Sequence, residues 1–148
     1  MTESRGRILG IDYGKKRIGL ALSDPMRMIA TGLPTIVYQN LPDALKQLEN
    51  IIIQNQVSDI VVGLPLTLKG EEGGAVRETK AFVDRLKLRT DLPIFDWDER
   101  FTSVMAQRSL REMGESWSRN KERVDQVSAT ILLQSYLDKH SLTQKKSL

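Results

Sequence analysis

At 148 residues, with 22 Lys and Arg against 19 Asp and Glu, the chain is long enough for one domain with a real core and too short for a second large one. With no cysteine there is neither a disulfide framework nor a thiolate zinc site, and the one histidine, His140 near the tail, argues against a His-based charge relay or a His-rich metal site. A pI of about 9.3 suits an acidic partner such as nucleic acid, although a modest excess of Lys and Arg is also what a solvated surface carries.

The start "MTESRGR" lacks the apolar stretch of a secretory signal. No segment approaches the roughly 20 apolar residues of a membrane span. The expectation is a soluble, cytoplasmic protein with no membrane partner.

Residues 7–13 and 17–23 are both strand-like and are separated by "GKK", which predicts a β-hairpin; a third strand over about 29–38 completes a meander. "PDALKQLENIIIQNQ" places Leu45, Leu48 and Ile52 at helical spacing with Asp43 near the start. "DIVVGLP" is a short buried strand, and the Gly-rich "LTLKGEEGG" after it is a loop. It is no P-loop, since the Gly-Lys-Ser/Thr ending is missing, and it is expected to flank the substrate. "AVRETKAFVDRLKLR" is amphipathic through Val76, Thr79, Phe82, Val83 and Leu86, "LPIFDWD" is a strand, and "TSVMAQRSLREMG" is a helix stopped at Gly114. After the polar "ESWSRN", a last helix covers about 121–138, and residues 139–148 form a frayed, flexible tail. The order predicts one domain over 1–148, a mixed five-stranded α/β sheet flanked by helices, with its parallel part made by crossovers.

Three acids stand out. Asp12 interrupts the apolar run of the first strand, where an ionised carboxylate without a partner costs several kcal/mol. A plainer reading has it shaping the "DYG" turn. "DWDER" closes the last strand, at the edge where open α/β sheets bind ligands. Alternation puts Asp96 and Asp98 on one face and Phe95, Trp97 and Glu99 on the other; a solvated turn with Asp98 and Glu99 serving the dipole of the next helix is the alternative. Asp125 shares a helix face with Ser128, Ala129, Leu132 and Tyr136, and the small Ser128 and Ala129 would let the helix lie close to the sheet. An Asp at the start of a helix is also simply favoured by the dipole, but that does not explain an acid on the apolar face. Brought together, such acids repel one another, and divalent cations relieve that repulsion. Carboxylate oxygens suit Mg²⁺ or Mn²⁺, and a pair of such ions about 4 Å apart can hold the attacking water and leaving oxygen of a phosphodiester in line.

The segments "GIDYGKKRIGLALSD" (10–24), "VVGLPLTLKGEEG" (61–73), "DERFTS" (98–103) and "KERVDQVSATILLQSYLD" (121–138) resemble, in order and over nearly the whole chain, the YqgF/RuvX family of bacterial nucleases. The resemblance implies an RNase H-like, RuvC-like fold and a metal-dependent endonuclease using Mg²⁺ or Mn²⁺. It implies Asp12, Glu99 and Asp125 as catalytic, metal-binding acids, with Asp98 as the substitute beside Glu99. It further implies processing of the 5′ end of precursor 16S rRNA, or resolution of Holliday junctions in branched DNA. Pre-ribosomal particles are then possible partners, and the chain would act as a monomer or homodimer. Two departures are visible: Thr67 and Lys69-Gly70 stand where the family usually has Asn and an Asp-Gly turn, and Ser128 replaces Ala.

Lys15, Lys16 and Arg17 follow Asp12, and Arg100 adjoins Glu99, so these cations are candidate phosphate contacts. Lys15 and Lys16 are equally at home on a polar hairpin tip. Trp117 among Arg119, Lys121 and Arg123 suits stacking on an unpaired base, or else caps the core. Two rivals remain. An actin-like phosphotransferase also opens with Asp-x-Gly, but Lys15 and Lys16 replace its usual Ser or Thr and the chain cannot supply two lobes. A non-catalytic ribosome- or nucleic-acid-binding module is the other.

Overall fold

The computed structural model describes residues 6–66, 69–100 and 121–146. In chain order its elements are β1 (Arg7–Asp12), β2 (Arg17–Ser23), β3 (Ala30–Val37), α1 (Leu41–Gln54), β4 (Val57–Leu64), α2 (Gly74–Lys87), β5 (Ile94–Asp98) and α3 (Lys121–Lys146). The helix expected over 102–114 and the "ESWSRN" loop lie outside the described residues.

Local chemistry accounts for the first two helices. The Asn40 side chain accepts the Asp43 N–H at 3.0 Å and so caps α1, whose first turn also holds Pro42, a residue with no N–H to leave unpaired. The buried residues of α2 are Val76, Thr79, Phe82, Val83 and Leu86, the stripe that its spacing predicts. The strands form one sheet in the order β3-β2-β1-β4-β5. The three N-terminal strands pair antiparallel as a meander, and β4 and β5 run parallel to β1, each reached through a helix.

Alternation sorts the sheet into two buried faces. On one, Leu9, Ile11, Ile18, Leu20, Ile60 and Val62 pack against Leu45, Leu48, Phe82 and Leu86 of α1 and α2. On the other, Ile8, Ala21 and Val61 pack against Ala129, Leu132, Leu133 and Tyr136 of α3. Burying each of these leucines removes enough apolar surface to contribute about 2 kcal/mol.

The second face is made shallow by glycine. A Cβ added at Gly10 would lie 2.9 Å from Leu133 Cβ, at Gly19 2.3 Å from the Asp125 carbonyl oxygen, at Gly32 2.5 Å from Gln126 Cγ and at Gly63 2.2 Å from Leu132 Cδ1. Four strands thus each give up a side chain beneath α3. The small residues expected on the helix are only half of the reason it can lie so close.

One boundary differs from expectation. The helix predicted to end near 138 continues to Lys146. Neither Gly nor Pro follows Asp138 to stop it. Its extension is packed at the start: the His140 ring stacks on Tyr136 at 3.9 Å, and Lys139 Nζ stands 5.4 Å above the Trp97 ring. Among the described residues no helix is long and apolar enough to cross a membrane.

Candidate active site

Asp12 is the last residue of β1, and its partner across the ladder is Gly19 of β2. It follows Ile8 and Gly10 on the face beneath α3, at the carboxyl end of the central strand. Its side chain keeps an opening to solvent, but protein surrounds the carboxyl closely enough for desolvation to govern its chemistry.

Glu99 arrives from β5. Its N–H donates to the Leu64 carbonyl at 3.1 Å, which continues the β4–β5 ladder by one residue. Its side chain lies in the space that Gly63 leaves, where a Cβ would meet Glu99 Oε2 at 2.3 Å. From there it is hydrogen-bonded to Asp12. Two carboxyl groups can share such a bond only if one carries a proton. Burial raises the Asp12 pKa well above the usual carboxylate range, and the Glu99 charge, its bond and the Asp125 charge add to that. Burial raises Glu99 as well, against the bond from Asp12, which holds it down. Asp12 and Glu99 thus face each other, and burial pushes the pKa of each upward.

Asp125 comes from the second turn of α3, its carbonyl resting on Gly19 opposite Asp12. Arg17 Nε donates to Asp125 Oδ2 at 2.7 Å. Burial raises the Asp125 pKa, while Arg17, by its bond and its charge, opposes the shift. Asp98, the substitute candidate, is differently engaged. Arg100 Nε contacts its Oδ2 at 2.8 Å and its Oδ1 at 3.0 Å, and these bonds lower its pKa. Of the two neighbours it is Glu99 that faces Asp12. The expected alternation holds, since Phe95 and Trp97 pack on Tyr136 of α3 at 6.4 and 5.5 Å.

The sheet thus brings Asp12, Glu99 and Asp125 into one neighbourhood. Among the described residues, no three acids stand close enough together to surround an ion, and Asp125 is turned onto Arg17. The donor chemistry still fits a hard cation, since all three side chains offer carboxyl oxygens.

The candidate cations fall in two groups. Lys15, Lys16 and Arg17 line an open depression with Tyr38, Gln39 and Glu122. Lys15 pairs with Glu78 of α2 at 3.1 Å on an open surface, where such a bond contributes little. Lys121 and Arg123 are exposed on the first turn of α3, which is tied to β3 by the Thr35 hydroxyl donating to the Glu122 carbonyl at 2.8 Å. Arg100 forms the second group. Besides binding Asp98, it lies against Gly70, whose φ of +80° is a conformation glycine adopts freely. This places the described part of the 66–74 loop beside the acids. Trp117 and Arg119 lie outside the described residues.

Sequence reasoning missed Gly19 and Gly63. Neither carries chemistry, but each clears the space in which an acid sits. The available signal was a glycine inside a strand pattern, which often marks a close backbone approach.

This architecture, a five-stranded mixed sheet flanked by helices, is the RuvC-like, RNase H-like fold. The chain is similar to the solved structure of RuvC from T. thermophilus in complex with a Holliday junction, with a TM-score of 0.56 at 12% identity over 92% of this chain and 96% of that one. The chain belongs to the RuvX family, described as Holliday junction resolvase, whose model matches residues 6–139. Among its relatives, a protein of Koribacter versatilis named "Putative pre-16S rRNA nuclease" is 42% identical over 143 residues, covering 97% of this chain and 94% of that one. A Sulfurihydrogenibium protein of the same name is 44% identical over 141 residues, covering 94% of each.

Proposed function

We propose that the protein is a cytoplasmic, divalent-metal-dependent endonuclease that hydrolyses phosphodiester bonds in structured RNA, with the 5′ end of precursor 16S rRNA as its substrate. The observation that carries this reading is the convergence of three acids from distant parts of the chain: Asp12 at the end of β1, Glu99 in the space Gly63 leaves, and Asp125 on the turn of α3 that rests on Gly19 opposite Asp12. Such an arrangement is costly unless a cation offsets it. The names of the relatives supply the substrate.

Asp12, Glu99 and Asp125 would hold Mg²⁺ or Mn²⁺. When bound, such an ion lowers the pKa of a water and stabilises charge on the phosphate oxygens, which removes any need for a histidine base. To take up that role Asp125 would turn from Arg17. Lys15, Lys16, Arg17, Lys121 and Arg123 line the approach and hold phosphates without regard to sequence, as electrostatic contacts do. Arg100 steadies Asp98 and the Gly70 turn beside the acids. Pre-ribosomal particles are the setting in which this substrate would be met.

A second reading is favoured by the family description and by the likeness to RuvC: resolution of a branched DNA. Incubating the protein with precursor 16S rRNA and with a four-way DNA junction, with and without Mn²⁺, separates the two. The variant carrying Asp12→Asn, Glu99→Gln and Asp125→Asn is the control. Mn²⁺-dependent trimming of the RNA alone is expected. Cutting of the junction alone would establish the second reading. RNA binding without cutting, unchanged in the triple variant, would reduce the protein to a binding module.

A further inference from the structure

Arg17 occupies the boundary between the acid group and the basic depression. On one side its Nε holds Asp125 at 2.7 Å, in a pair of which 31% and 22% of the side-chain surfaces are exposed. On the other side it lines the depression with Lys15, Lys16 and Tyr38. The bond to Asp125 takes one of the five N–H donors of a guanidinium, a group whose planar fork also matches phosphate.

The backbone around this pair is fixed. The Asp125 carbonyl is packed on Gly19, and the turn before it is bonded to β3 through Thr35. A change of partner at Asp125 would therefore need side-chain rotation and no movement of α3. It has two directions to choose from, since it contacts Arg17 and also lies within charge range of Asp12.

We propose that Arg17 is an exchangeable counter-ion: it neutralises Asp125 while the acids are metal-free, releases that carboxylate when a divalent cation is bound, and then turns its guanidinium to a phosphate of the nucleic acid in the adjoining depression. The proposal rests on the reading of Asp12, Glu99 and Asp125 as metal ligands. It makes metal and nucleic acid cooperative, each tightening the other by the same factor, because linkage is reciprocal. A fixed structural pair would behave in the opposite way, since losing Arg17 would then misplace Asp125 and weaken the metal.

The test begins with calorimetric titration of the full-length protein with Mn²⁺ alone, comparing wild type with Arg17→Gln. Removal of the competing guanidinium is expected to tighten Mn²⁺ binding about fivefold. In the wild type the Arg17 Nε–H resonance should shift as Mn²⁺ is replaced by the diamagnetic Mg²⁺ and titrated in. Binding of a phosphorothioate RNA hairpin, followed by fluorescence anisotropy, should tighten on metal addition by about fivefold or more in the wild type and by less than about twofold in Arg17→Gln. Weaker Mn²⁺ binding by Arg17→Gln, or undiminished coupling in it, overturns the counter-ion role while leaving the metal site standing. Failure of the wild type to bind Mn²⁺ at all overturns the metal reading itself.

Discussion

Gly19→Ala tests whether the close approach of α3 to the sheet is what positions Asp125. The added Cβ would lie 2.3 Å from the Asp125 carbonyl oxygen, about 0.7 Å inside the 3.0 Å that such contacts essentially never breach, and 2.8 Å from its carbonyl carbon. Both atoms are backbone, so no side-chain rotation relieves the clash. α3 must lift near its N-terminus, against the packing of Ala129, Leu132 and Leu133. Overpacking of this kind costs about 1–3 kcal/mol. The lift carries Asp125 away from Asp12, and a misplacement of about 1 Å at a reacting centre costs on the order of 100-fold in rate. Urea denaturation should show a lower midpoint with an unchanged slope, and single-turnover cleavage at saturating Mn²⁺ should fall about 100-fold. Gly32→Ala is the control, because its Cβ would meet the side chains of Gln126 and Thr130 rather than backbone, and β3 carries none of the three acids. A Gly19→Ala protein that loses stability yet cleaves at the wild-type rate would refute the positioning argument.

Asp12→Asn is expected to abolish cleavage and, without metal, to stabilise the fold at neutral pH. The Asp12 pKa is raised in the folded state by burial and by Glu99 and Asp125. Its contribution is therefore fully present below the ordinary carboxylate pKa near 3.8 and is lost as pH rises through the folded value. Denaturation in EDTA across this window should show the wild type weakening with rising pH and the Asn variant weakening less; an Asn variant less stable than wild type at pH 8 would contradict the raised pKa. Glu99→Gln should cut the rate by about 100-fold or more, as loss of a group holding a catalytic cation does, whereas Asp98→Asn should stay within about tenfold. The reverse order in a cleavage assay would make Asp98 the second acid. Leu132→Ala, at a position with no exposed surface, should cost about 2–5 kcal/mol in a denaturant titration.

Much of this was legible in the chain because the relevant periodicities are local. Alternation along "FDWDE" already separates Glu99 from Asp98, and the structure places Phe95, Trp97 and Glu99 together beneath α3 as that alternation requires. The stripe from Val76 to Leu86 behaves likewise. What sequence could not supply is the identity of partners distant in the chain. Arg17 and Asp125 are 108 residues apart, and nothing in either neighbourhood announces their bond. The last helix outruns its expected end: Lys139 and His140, just past that end, already pack on Trp97 and Tyr136, partners that a search along the helix for stop signals does not weigh.

The same distinction explains why a carboxylate can interrupt β1. Judged from its own strand, Asp12 is an error in an apolar run. Its tolerance is set elsewhere: Gly19 across the ladder leaves room for the α3 backbone, Gly63 leaves room for Glu99, and Glu99 stands as a hydrogen-bonding partner to the Asp12 carboxyl. Gly63 clears the space for the acid that Asp12 faces, and Gly19 clears it for the turn of α3 that carries Asp125. A fold that only required a stable central strand would have no use for two cleared spaces and a paired acid at its carboxyl edge. Burial and the neighbouring acids both raise the Asp12 pKa, so the fold concentrates unfavourable electrostatics at one edge of the sheet rather than dispersing it.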